Sequence, residues 1–190
     1  MKAWVLLVGS AGLFPVLGGL SKMEDRMASN APHSLDGMAY MDYSSYTQNE
    51  RPMDLSQDAR AIRWMQQNVA GSPVIVEAAT GEYNWGSRYS INTGLPDVIG
   101  WNWHQRQQRA VTPDTWVYHR IMEVGSFYAT MDRGEVEGFL RRYDVRYIVV
   151  GQLERDLYSP AGLEKFDAWN GRLWDAVYRD DQTVIYKVKQ

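Results

Sequence analysis

The sequence predicts an α/β protein: an N-terminal transmembrane helix, then a three-layer-like domain with a mostly parallel sheet and a C-terminal β-hairpin. Three observations predict it. Residues 3–20 are apolar or small apart from Ser10, with no charge between Lys2 and Lys22. Residues 54–78 read as helix, short turn and buried strand, the order of an α/β layer. Residues 174–188 alternate on either side of Asp180-Asp181-Gln182, as a terminal hairpin does.

The first segment has the length of a span. Some eighteen helical residues cover roughly 27 Å, close to the hydrocarbon thickness of a bilayer. Four glycines and Pro15 fall inside it, which membrane helices tolerate better than soluble ones. A secretory signal peptide, with Lys2, an apolar run and small residues near Gly18 and Gly19, is a second reading. A buried helix of a soluble protein is a third. Either of the first two places the rest of the chain beside or across a membrane. The basic residues Lys2, Lys22 and Arg26, with Glu24 and Asp25 among them, carry little orientation signal.

We divide the chain into a transmembrane helix at 1–21, a connector at 22–53 and an extramembrane α/β domain at 54–190. The connector holds Asn30-Ala31-Pro32 and the turn dipeptide Asp36-Gly37. Its run from Met38 to Tyr46 carries three tyrosines and is expected to lie extended on the domain surface. The clearest helix is 54–70: Asp54 or Ser56 caps it, Ala59, Ile62, Met65 and Val69 form its stripe, and Gly71 ends it. Pro73 to Ala78 is a β-branched run suited to a strand buried on both faces. Asp97 to Trp101 is a candidate second strand. Pro113 to Phe127 reads as a helix capped by Thr112, with proline where a missing N–H does no harm. Asp132 caps a helix through Tyr143 whose apolar side is Val136, Phe139, Leu140 and Tyr143. Val145 to Gly151 is another buried strand, and Ser159-Pro160 opens a short helix to about Trp169.

Composition excludes several functions. The net charge of −3 leaves no basic footprint for nucleic acid. There is no cysteine, so neither a disulfide framework nor a thiolate metal site is available. His33, His104 and His119 lack zinc spacing, and no metal is expected. The chain has no GxGxxG, no GxxxxGK[ST] and no GxSxG, so no cofactor and no nucleophile elbow are expected. Gly134 to Gly138 is acidic and helical in pattern, which does not suit phosphate.

The stretch from Tyr83 to Arg109 is unlike the rest. It gathers Tyr83, Trp85, Tyr89, Trp101 and Trp103 with His104, Arg88, Arg106 and Arg109, broken by Gly94 and Gly100. Rings stack on sugar faces and guanidinium groups fork phosphates, so this composition suits a sugar or phosphate site. An irregular, well-packed loop over a sheet end is the plainer reading. Glu77 lies at the carboxyl end of a strand, where open α/β sheets bind ligands. With Arg88 and His104 it would make an acid–base or sugar-hydroxyl cluster. Alternatively, Glu77 and Arg88 form a pair that anchors the loop. Arg106 and Arg109 would grip a phosphate from one helical face, or carry solvated charge. Glu154-Arg155-Asp156, at another sheet end, reads as a structural ion pair.

The order of segments is similar to that of a known family. The residues that carry the likeness are Leu35-Asp36-Gly37-Met38-Ala39-Tyr40-Met41, Ala61-Ile62-Arg63-Trp64, Pro73-Val74-Ile75-Val76-Glu77 and Ser87-Arg88. Thr93-Gly94-Leu95-Pro96, Gly100-Trp101, His104, Tyr147-Ile148-Val149-Val150-Gly151 and Leu153-Glu154-Arg155 continue it. Together they resemble the carboxyl-terminal part of the "YYY" membrane-protein family, a family of unknown function. Its members resemble polytopic C-type glycosyltransferases that use lipid-phosphate-linked sugars. Where the family pattern has an acid after the histidine and a Trp before the last arginine, this chain has Gln105 and Gln108. The loop therefore lacks the family's acid at that place.

The resemblance implies an extramembrane, extracytoplasmic C-terminal domain of a glycosyltransferase-like integral membrane protein. Its expected site residues are Glu77, Arg88, Trp101, His104 and Arg109, helping to form a sugar or lipid-linked-sugar acceptor site. Family catalytic acids lie in a many-helix half, so the chain is expected to be the tail of a longer protein and not active alone. Its expected partners are the membrane, a glycan or lipid-linked sugar, and other membrane subunits. The alternative is a non-enzymatic, membrane-anchored or exported binding or assembly domain whose aromatic loop packs on a membrane subunit. For an autonomous small hydrolase the sequence offers no nucleophile or metal set.

Overall fold

The computed structural model describes every residue except Met1, Met27, Ala28, Ser29, Ala110, Thr112, Asp114 and Gln190. It forms two compact units, residues 1–44 and 45–190.

In the first unit α1 (Lys2–Leu13) passes through a π-turn (Phe14–Gly18) into α2 (Gly19–Arg26). Pro15 explains the π-turn: it cannot donate to the ladder, so the helix widens locally instead of breaking. The continuous stretch Ala3–Asp25 has a mean hydropathy of 1.8 and buries none of its apolar window. Among the described residues this one helix is long and apolar enough to cross a membrane. The Tyr-bearing run is not fully extended, because a 3₁₀ turn occupies Ala39–Asp42.

The second unit opens with a hairpin, β1 (Ser45–Gln48) and β2 (Arg51–Asp54). Its two turn residues, Asn49 and Glu50, both have positive φ, as tight two-residue hairpins require. Asp54 then caps α3 (Leu55–Asn68) by accepting from the Ser56 N–H at 2.9 Å. Ala59, Ile62 and Met65 of the expected stripe are buried, and Val69 stands at its end.

The main sheet contains β3 (Val74–Val76), β4 (Val145–Val150), β5 (Trp174–Arg179) and β6 (Val184–Val188), in the order β3-β4-β6-β5. The α/β class and the terminal hairpin match the expectation, but the pairing balance differs. Only β3 and β4 pair in parallel; β4–β6 and β6–β5 are antiparallel. The hairpin is the cause. β5 runs in the same direction as β4, yet its return strand β6 inserts between them. Three strands therefore share one direction while most pairings are antiparallel. The expected strand at 97–101 reduces to a single parallel bridge, Ile75 to Asp97.

The helices that cover this sheet follow the sequence signals. Between β3 and β4 lie α4 (Arg88–Thr93), α5 (Asn102–Gln108), α6 (Thr115–Ala129) and α7 (Arg133–Tyr143). The expected Thr112 cap of α6 lies outside the described residues. Asp132 caps α7 by accepting from the Glu135 N–H at 2.9 Å. After β4 come α8 (Gln152–Leu157) and α9 (Pro160–Ala168), the latter capped by Ser159. Phe127, Phe139 and Phe166, from α6, α7 and α9, meet Val76, Ile148, Val150, Trp174 and Tyr186 in one core. Phe127 and Phe139 stack at 4.5 Å. Alternate strand residues Ile75, Val149 and Ile185 are equally buried, so both sheet faces are covered. Gly162 lets α9 approach α6, since a Cβ there would fall 2.5 Å from the Tyr128 carbonyl oxygen.

Candidate functional site

The carboxyl end of β3 is a buried ion cluster, not an open site. Glu77 follows the last residue of the strand, and its carboxylate accepts from the backbone N–H groups of Tyr89 (3.1 Å) and Ser90 (2.9 Å). It thereby caps α4, whose own flanking residue, Ser87, makes no side-chain cap. Arg88, beside it, sends Nε to Asp58 at 2.9 Å and Nη1 to Glu77 at 3.4 Å. It also forks onto Glu154 at 3.2 and 2.8 Å. Glu154 in turn accepts from the N–H groups of Ala78 (2.8 Å) and Gly151 (2.7 Å). One guanidinium thus ties α3, the end of β3 and α8 together, and none of these side chains is more than 3 % exposed.

The charge balance of this cluster sets its protonation. Three carboxylates face one cation, with Asp97 nearby. Glu154 has the best geometry: burial opposes its charge, but Arg88 and the two N–H donors hold it below the ordinary glutamate range. Glu77 has the poorest claim on Arg88. Burial, with the Asp97 charge, pushes it up to about 8 against the pull of Arg88. Burial likewise raises Asp97 to about 6, although backbone N–H groups oppose it.

The open part of the site lies beyond this cluster, where the loop 80–84 faces 100–104 across a cleft of about 190 Å³. Tyr83, Trp101, Trp103 and His104 line it with Asn84 and Asn102. Tyr83 is 88 % exposed and held at φ +62°, a backbone region uncommon for bulky residues. Trp101 is fixed by donating from Nε1 to the Gly86 carbonyl at 3.0 Å, and its ring meets His104 edge-on at 5.0 Å. Gly86 has to be glycine, because a Cβ would fall 2.1 Å from the Thr80 hydroxyl. Asn102 donates to the Thr80 carbonyl at 3.2 Å, while its Oδ1 has no partner among the described residues.

The structure therefore separates residues that the sequence groups together. Glu77 and Arg88 meet, in the anchoring arrangement. His104 joins Trp101 at the cleft instead. Arg106 and Arg109 do not act as a pair. Arg106 is ion-paired to Glu82, donates to the Tyr118 hydroxyl at 2.7 Å and lies over the Trp103 ring at 4.9 Å. Arg109, exposed at the end of α5, lines a second, smaller cleft with Trp116 and Arg120. Asp58 was missed from sequence. The available signal was an acid three residues after Leu55 and four before Ile62, on the buried side of α3.

No family model matches the chain, and no curated protein matches it. Among solved structures it is similar to the C-terminal globular domain of an oligosaccharyltransferase from Archaeoglobus fulgidus, at 14% identity. That likeness covers 69% of this chain and 96% of that domain, with a TM-score of 0.44. It is a distant likeness, and it carries no argument about chemistry.

Proposed function

We propose that residues 54–190 are the extramembrane domain of a glycosyltransferase-like integral membrane protein of the "YYY" kind, with residues 1–21 as a span and the domain on the extracytoplasmic side. The cleft between 80–84 and 100–104 helps form a sugar or lipid-linked-sugar acceptor site. The observation that carries this is the cleft's wall: exposed Tyr83 and Trp101 rings beside amide and imidazole groups, next to the buried Glu77–Arg88–Glu154 cluster. Ring faces take the apolar face of a sugar, while amides and imidazole bond its hydroxyls.

Within this reading Trp101 stacks, His104 and Asn84 hydrogen-bond, and Glu77 and Arg88 position the loop without touching the ligand. Arg109 stands outside the cleft, towards α6. The acid lining the cleft, Glu82, is engaged by Arg106, which supports binding by this domain with the catalytic carboxylate lying elsewhere. A lost stacking face is worth on the order of 1 kcal/mol, so Trp101→Ala is expected to weaken binding of a lipid-linked sugar or glycan several-fold in a titration. Unchanged affinity in both Trp101→Ala and Tyr83→Ala would remove the cleft from the function and favour the non-enzymatic assembly domain.

A further inference from the structure

By composition the aromatic stretch suits a sugar or a phosphate, and the placement of its arginines decides between the two. No arginine or lysine lines the cleft between 80–84 and 100–104. Arg88 is buried among Asp58, Glu77 and Glu154. Arg109 lines the smaller cleft, with Trp116 and Arg120. Arg106 donates from Nη1 to the Tyr118 hydroxyl and from Nη2 to Glu82, and its guanidinium lies over the Trp103 and Tyr118 rings. Of the Glu82–Arg106 pair, only the acid lines the cleft. The chain has no lysine between Lys22 and Lys165.

The wall is also short of free donors on its 100–102 side. The Gly100 N–H donates to Asp97 at 2.9 Å, Trp101 Nε1 to the Gly86 carbonyl at 3.0 Å, and Asn102 Nδ2 to the Thr80 carbonyl at 3.2 Å. Asn102 Oδ1, shielded from water, is an acceptor without a partner among the described residues. Asp97, which holds Gly100, adds to the carboxylates gathered around Arg88. His104 is the only lining side chain able to take up a positive charge. The amino end of α5 opens here too, but a helix end carries only about half a unit of positive charge, less than the Glu82 carboxylate on the same cleft.

We propose that the cleft admits one uncharged sugar unit and excludes phosphate, with Glu82 as the residue that sets this selectivity. Of a lipid-linked sugar, only the sugar enters, its ring against Trp101 and its hydroxyls on Asn84 and His104; the phosphate stays outside. The inference rests on the sugar-site reading of this cleft. Sugar hydroxyls both donate and accept, so they suit a wall that holds an orphan acceptor and an acid. Phosphate-ester oxygens only accept, and they call for the guanidinium or ammonium groups that are missing here. Taking their charge out of water without a cation costs far more than taking a hydroxyl. The volume of about 190 Å³ is below the roughly 300–1,000 Å³ of pockets for drug-sized ligands, which limits the cleft to a single ring.

The test compares each sugar with its own phosphate. The full chain in detergent is titrated by ligand-observed NMR at about pH 8, where an ordinary imidazole is uncharged. The probes are the methyl glycosides of glucose, galactose, mannose and N-acetylglucosamine, the 1-phosphates of the same sugars, and inorganic phosphate. At least one glycoside is expected to bind, its 1-phosphate several-fold more weakly, and inorganic phosphate should not displace it. Glu82→Gln should bring the two affinities together, and Trp101→Ala should weaken both. A 1-phosphate that binds as tightly as its glycoside, with both weakened in Trp101→Ala, overturns the exclusion and leaves the sugar site standing. Displacement of the glycoside by inorganic phosphate does the same. An unchanged ratio in Glu82→Gln overturns the assignment of selectivity to that residue. Glycoside binding that survives both Trp101→Ala and Tyr83→Ala, or no binding of any probe, sinks the sugar-site reading itself.

Discussion

Arg88 and Arg106 come from the same aromatic stretch, eighteen residues apart, and end in opposite environments. Arg88 is buried, forked by Glu154 and bonded to Asp58 and Glu77. Arg106 lies near the surface, over two rings, with one acid, Glu82, as partner. Local composition does not separate them. What separates them is what the rest of the chain brings: α3 and α8 deliver carboxylates to Arg88 from 30 and 66 residues away, while Arg106 meets only α6 and its own loop. Aromatic–Arg stretches are therefore two materials in one. The half that finds distant acids becomes buried framework, and the half that does not is held near the surface by a nearby acid and by rings.

Removing each cation tests this division most severely. Arg88→Ala leaves buried carboxylates without compensation, which typically costs about 3–5 kcal/mol. Denaturant unfolding at neutral pH should show that loss, or no folded protein at all. Arg106→Ala should cost less, on the order of 1–2 kcal/mol, since its acid is partly solvated while its contacts with Trp103 and Tyr118 are lost. Equal costs for the two variants would erase the distinction between framework and surface.

The pH dependence sharpens the same contrast. Glu77 is raised in the fold to about 8 from an ordinary value of 4.5, so the native state binds a proton that the unfolded chain has released across that range. Its stabilising contribution is full below pH 4.5 and is lost as pH rises through 8. Asp97, raised to about 6, acts in the same direction at lower pH. Glu154 is lowered, so its contribution is present above its unfolded value and is lost in acid. Glu77→Gln mimics the protonated form and should flatten the decline between pH 4.5 and 8. A variant with the same slope as the parent would show that Glu77 ionises freely beside Arg88.

Much of this framework could be read from residue order, for identifiable reasons. Asp54, Asp132 and Ser159 announce helix starts because a cap needs only a short polar side chain followed by an apolar period. The run Val145–Val150 announces a central strand because it is apolar without alternation. The direction of sheet pairing could not be read the same way. It depends on where the hairpin's return strand docks, a choice made by packing against β4 and not by any local pattern. The site was half legible for a related reason. Rings and arginines are visible in a sequence, but their burial depends on acids such as Asp58, whose helix lies on the far side of β3 in the chain.

Lys165 offers a control of a different kind, a buried cation with no carboxylate. Its ammonium donates to the carbonyls of Tyr128 and Gly162, both at 2.7 Å, and lies over the Phe166 ring at 4.6 Å. Burial lowers it to about 7 from 10.5, opposite to the upward shift of Arg88 among its acids. Between those pH values the unfolded chain binds the proton and the folded one has released it, so stability should rise from pH 7 to 10.5 through this group. Lys165→Met should remove that rise in a series of thermal melts. Should the rise persist in the methionine variant, the carbonyl cage keeps the ammonium charged and burial alone does not set its ionisation.

The smallest effect is expected at Glu82, and its size is informative. Glu82 is the one acid that holds Arg106, and the pair sits at the cleft with side chains 38% and 12% exposed. Glu82→Gln keeps a hydrogen-bond acceptor and removes the charge, so stability should fall by less than about 1 kcal/mol. The consequence lies in the ligand surface. A released Arg106 adds a positive charge between the cleft and α6, so an anionic lipid-linked sugar should bind more tightly while a neutral glycan binds as before. Paired titrations of the two ligands against this variant separate charge from stacking. An equal gain for both would show that Glu82 shapes the cleft and does not merely neutralise its arginine.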